Sequence, residues 1–91
     1  MTRFVLEQRK SHHAHASPGE AEWVVLELPS RKEAGVLRKK GEMFSASSID
    51  FRHETESFDP ILVLRMAFRG EQFFIEGANG DLQKISAADL K

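Results

Sequence analysis

The reading of residues 58–77, "FDPILVLRMAFRGEQFFIEG", decides the fold. From Ile61 to Phe68 nearly every position is apolar, the pattern of a strand covered on both faces. Eight residues is short for a buried helix, and the following "RGEQ" suits a hairpin turn better than a helix cap. The preceding "SFDP" reads as a turn. "FFIEG" then forms the return arm, with Phe73 and Ile75 on one face and Phe74 on the other. The stretch is expected to be a β-hairpin with aromatic residues on both arms.

Working outward, "RFVLEQ" places Phe4 and Leu6 on one face of a short strand and Val5 on the other. Residues 9–20 are polar and turn-rich, with Pro18 and Gly19 as punctuation, and read as a mobile loop. "EWVVLEL" is the next strand, with Val24, Leu26 and Leu28 opposite Trp23, Val25 and Glu27. In "PSRKEAGVLRKKG", Ser30 stands three residues before Glu33, as in a capping box. Arg38, Lys39 and Lys40 suit the negative end of a helix dipole, and Gly41 a left-handed stop. A helix is therefore expected over about 31–40, with Gly35 inside it at a cost of roughly 1 kcal/mol unless something packs closely there. "FSASSIDFRHE" returns to strand alternation around Ile49 and Phe51, "ANGD" is a turn, and "ISAADLK" is one helical turn or a frayed end.

The sum is a mainly β domain, a small antiparallel β-barrel or sandwich of about five strands with one short α-helix. Expected inward positions are Phe4, Leu6, Leu26, Leu37, Ile49, Phe51, Leu62, Leu64, Phe68, Phe73 and Ile75, with Trp23 half-buried. The chain's 91 residues make one domain, able to bury roughly 60–65 % of its unfolded surface. With 41 % hydrophobic and 30 % charged residues, wholesale disorder is not expected. Thirteen basic against fourteen acidic residues leave a formal charge of −1, which calls for neither a nucleic-acid nor a membrane partner. The absence of cysteine excludes disulfides and thiolate metal sites. No apolar run approaches the ~18 residues of a membrane span, and the first residues lack a signal-peptide pattern. A soluble chain that stays where it is made is the expectation.

His12, His13 and His15 form the one histidine cluster. Closed structural metal sites need four spaced ligands, so no metal and no cofactor is expected. His53 beside Glu54 and Glu56 resembles a base with an orienting carboxylate, but strand neighbours point to opposite faces. No serine sits in a nucleophile elbow, and Glu20 and Glu22 read as solvated strand-edge residues. The expectation is a protein that is not an enzyme. Arg31, Lys32, Arg38, Lys39 and Lys40, at the ends of the expected helix, are candidate interface or phosphate contacts. The plainer reading is a solvated helix face.

In their order these segments resemble the small bacteriophage head-tail joining proteins, also called head-completion, head-closure or stopper proteins. That family opens with a strand ending in Gln-Arg, matched by "RFVLEQRK", followed by a loop ending in Gly-Glu, matched by "SPGE". A strand with Trp then leads to a Pro-Leu-Ser-Gly-Arg-Glu-like segment, where "EWVVLELPSRKE" keeps Trp23, Pro29, Ser30 and Glu33. "IDFRHE" and "FDPILVLRMAFRGEQFFIEG" follow the cadence of the family's later strands. The resemblance implies a non-catalytic virion protein, made in the bacterial host cytoplasm and located in the neck. It implies rings that extend the portal channel, with a portal or portal-adaptor protein, a tail protein and non-specifically contacted DNA as partners. It suggests no membrane and no small-molecule substrate. Arg9, Lys10, Ser11, His12, His13 and His15 become candidate residues of a channel or partner loop. A small β-barrel binding module for nucleic acid or peptide is the alternative.

Overall fold

The computed structural model describes residues 3–9, 20–49, 52, 54–69 and 72–90. Seven strands form one sheet among them: β1 (Arg3–Arg9), β2 (Glu20–Glu27), β3 (Lys32–Lys40), β4 (Met43–Ser48), β5 (Glu54–Ser57), β6 (Gln72–Glu76) and β7 (Leu82–Lys84). The one α-helix among the described residues, α1 (Pro60–Phe68), lies between β5 and β6 in the chain, and a 3-10 turn at Ala87–Leu90 follows β7. The spatial order is β5-β4-β3-β2-β1-β6-β7. Every neighbouring pair is antiparallel except β1 and β6, which run parallel. The domain is mainly β with one short helix, as expected. The sheet is not closed into a barrel, and its strands number seven rather than about five.

The helix lies elsewhere than expected. Residues 61–68 are not a strand: Asp59 caps α1, its Oδ1 accepting from the backbone N–H groups of Ile61 (3.0 Å) and Leu62 (3.3 Å). Pro60 occupies the first turn, where its missing N–H costs nothing. Arg69 ends the helix in the left-handed conformation. The buried residues Pro60, Val63, Leu64, Ala67 and Phe68 recur at helical spacing. "SFDP" was therefore a cap, and "RGEQ" does not close a hairpin. Parallel strands need a crossover, and α1 is part of the one leading from β5 to β6.

Residues 32–40 are β3, not a helix. Ser30 closes the β2–β3 turn instead of a capping box: its Oγ donates to the Glu27 carbonyl and accepts from Lys32 N–H, both at 3.4 Å. Gly41, at φ 61°, turns β3 into β4 through a two-residue hairpin between Lys40 and Met43. Strand neighbours on both sides supply ladder bonds that an isolated ten-residue helix could not match.

Helix and 3-10 turn cover one face of the sheet. Phe4, Leu6, Trp23, Val25, Ala34, Leu37, Phe44, Ala46 and Phe73 meet Val63, Leu64, Ala67, Phe68, Ile85 and Leu90 there. Phe4 stacks on Phe73 with centroids 5.4 Å apart, and Phe68 meets both rings at tilted or edge-on angles. Trp23 is buried rather than half-buried. Leu26 lies on the opposite face with Val24, to which it is next but one. Ile49 and Leu62 are exposed rather than inward. Phe51 lies outside the described residues.

β3 carries one extra residue. Val25 pairs with Gly35 and Leu26 with Glu33, so Ala34 bulges, its carbonyl accepting from Ile49 N–H at 2.8 Å. A Cβ on Gly35 would collide with the Ser47 backbone carbonyl on β4 and would lie 2.7 Å from the Phe68 ring. The close packing that this glycine suggests is real, but it is made across a strand.

Candidate functional site

On the sheet face opposite α1, Val5 and Val24 are buried and Leu26, Val36 and Phe74 half-buried. Charged residues in ion pairs surround this apolar strip. Arg31, at φ 61° in the β2–β3 turn, donates to Glu7 on β1 and to Glu76 on β6 (3.3 Å for the latter). Arg9 meets Glu33 at 3.3 Å, and Arg38 meets its cross-strand partner Glu22 at 3.4 Å. Hydrogen bonds to Glu7 first and Glu76 second hold the Arg31 guanidinium above its ordinary pKa. All of these side chains are substantially exposed, so the pairs organise the surface more than they stabilise it.

The five candidate phosphate-contact cations therefore do not flank a helix. Arg31 sits in a turn, Lys32 opens β3, and Arg38 and Lys40 share one face of that strand while Lys39 points to the other. Two of the five, Arg31 and Arg38, already hold carboxylates. Of the candidate loop, Arg9 is engaged with Glu33, and Lys10, Ser11, His12, His13 and His15 lie outside the described residues. His53 also lies outside them. Glu54 and Glu56 are exposed on β5, and Glu20 is exposed beside the ion-paired Glu22.

Ser48 is the one buried polar or charged residue among the described ones. No group of three or more histidine, aspartate or glutamate side chains converges among them in a metal-binding arrangement. No helix among them is long and apolar enough to cross a membrane.

What the strand reading of residues 61–68 concealed is an apolar surface. Leu62 and Met66, one turn apart on the outer side of α1, are 46 % and 49 % exposed, and Phe58 just before the cap is 66 % exposed. Thr55 Oγ1 on β5 lies 3.9 Å from Met66 Sδ, which ties this stripe to the sheet's edge strand. Asp59-Pro60 at the head of the run was the signal that could have revealed it, since an N-cap followed by proline starts a helix. Helical spacing then separates Leu62 and Met66 from Val63, Leu64 and Ala67. A scan against protein-family models finds no match for this chain, and searches of the curated proteins and of the solved structures find none either.

Proposed function

We propose that this chain is a structural, non-enzymatic assembly protein, and specifically a phage head–tail connector subunit that works by docking other proteins. The exposed pair Leu62 and Met66 on the outer side of α1, beside the β5 edge, carries the proposal. A helix that buries one side and presents leucine and methionine on the other suits a protein partner better than solvent. The connector is the particular assembly named by the sequence resemblance. Its support is the sequence motifs that carry the resemblance, together with this surface; residues 31–40 and 61–68, expected as helix and strand, fold as β3 and α1 instead and lend it none. The partners proposed are a portal or portal-adaptor protein on one side and a tail protein on the other.

DNA contact belongs to this reading only as a loose, sequence-independent brush along a channel. Arg9, Arg31 and Arg38 are committed to carboxylates, and the chain's formal charge of −1 offers no strongly attractive surface. The same facts disfavour the nucleic-acid form of the binding-module alternative.

The test is co-sedimentation of the chain with the portal-side and tail-side proteins encoded beside it. Binding to one of them, abolished by the double substitution Leu62→Glu with Met66→Glu at an unchanged melting midpoint, is the expected result. Undiminished binding by that variant would overturn the assigned surface. Neighbouring genes that encode no portal or tail protein would overturn the connector.

A further inference from the structure

We infer that copies of this chain associate head to tail through the two edges of the sheet, β5 of one copy adding to β7 of the next. The inference stands on the sheet alone and does not depend on the connector reading.

Both edges are open: β5 is hydrogen-bonded only to β4, and β7 only to β6, among the described strands. Their directions match. Alternation from β1 through β2, β3 and β4 leaves β5 parallel to β1, whereas β7 is antiparallel to β6 and hence to β1. A second copy placed beside the first in the same orientation therefore sets its β7 antiparallel to β5, with the helix-bearing faces of both copies on one side.

The charges also match. Towards the middle of the sheet, Arg9, Arg31 and Arg38 are matched with glutamates of the same chain. At the edges, Glu54 and Glu56 on β5 and Lys84 on β7 have no ion-pair partner among the described residues. Glu54 and Glu56 lie on the face opposite α1, opposite Ser47 and Ser45, and Lys84 lies on that same face, opposite Phe74. Head-to-tail pairing puts unlike charges side by side. Pairing two β5 edges instead would set four glutamates together, the usual device against self-association of an edge.

One register satisfies more than charge. With Glu56 opposite Lys84 of the neighbouring copy, Ser57 meets Gln83 and Phe58 meets Leu82. Phe58 and Leu82, 66 % and 41 % exposed, would then cover each other. Setting Glu54 opposite Lys84 keeps a charge pair but leaves Phe58 opposite Gly80. A contact of this kind is heterologous and builds a ring or a filament rather than a closed pair.

Because the chain lacks cysteine, mixed crosslinking tests the inference directly. Glu56→Cys and Lys84→Cys chains are combined under mild oxidation, as are Ser57→Cys and Gln83→Cys chains. Adjacent cross-strand positions alternate in geometry, so one of the two mixtures is well placed for a disulfide. Mixed dimers in at least one mixture, with few homodimers of any single variant, are expected. Homodimers forming as readily as mixed ones, or no mixed dimer at millimolar protein, would overturn it. Sedimentation supplies a second readout. Glu56→Lys or Lys84→Glu alone should weaken association about 3–10-fold, and the two together in one chain should restore it. Failure of the restored pair to recover association would also reject the edge pairing.

Discussion

At Gly35 the absence of a side chain is a packing requirement. The Ser47 carbonyl and, behind it, the Phe68 ring fill the place where a Cβ would stand, and that ring is one of three that close the core. Gly35→Ala should destabilise by about 1–3 kcal/mol in urea titration, the usual cost of overpacking. Adding Phe68→Leu should leave most of that loss in place, because the Ser47 carbonyl is backbone and is not moved by trimming the ring. Leu64→Ala should cost about 2–5 kcal/mol, because Leu64 is fully buried between helix and sheet. An unchanged midpoint for either single variant would contradict the packing described. Arg31 behaves differently. Its guanidinium pKa is raised in the folded chain, so its contribution is fully present below the unfolded value and is lost only as pH rises through the still higher folded one. Arg31→Met should therefore shift the melting midpoint equally at about pH 7 and about pH 9. A shift that faded over that interval would mean that the guanidinium is not the group responsible.

At the scale of elements, α1 depends on its cap. Asp59→Ala removes the acceptor for two backbone N–H groups and should cost about 0.5–2 kcal/mol, with Asp59→Asn retaining most of the stability. Equal losses for both would show that the side chain acts by charge rather than as a cap. The same residue explains what the sequence disclosed and what it hid. Short runs of bulky and β-branched residues in "RFVLEQ" and "EWVVLEL" located β1 and β2: three consecutive residues of each are buried, Phe4 to Leu6 and Trp23 to Val25, because both faces of the sheet are apolar there. In "ILVLRMAF" the exposed Leu62 and Met66 are as apolar as the buried Val63 and Leu64, so hydrophobicity alone could not separate helix from strand. The decisive signal was at the margin, in Asp59-Pro60. Around Ser30 the error ran the other way: the spacing of a capping box was present, but cross-strand partners from distant segments overrode it.

At the scale of the molecule, mainly β character was legible from local patterns, but sheet order was not. The parallel contact of β1 with β6 joins segments at opposite ends of the chain, and no local pattern announces such a pairing. The consequence for function is that surface chemistry must be read from the assembled sheet. Cations consecutive in sequence separate onto a turn and two faces, while Glu56 and Lys84, far apart in sequence, become the opposite ends of one sheet. Both edge strands are short, four residues and three, so the edge contact buries little area and is weak in the free protein. The pure chain should sediment as a monomer at micromolar concentration. Association should grow with concentration and diminish with added salt, because the edge charges are solvent-exposed. A docked partner holding several copies at once raises their effective concentration and should promote the same edge contacts into a stable oligomer. Sedimentation across a concentration and salt series, without and then with the portal-side protein, distinguishes these states. A tight, salt-insensitive symmetric dimer in the pure protein would require a different interface, and the outward pair Leu62 and Met66 on α1 would then be its first candidate.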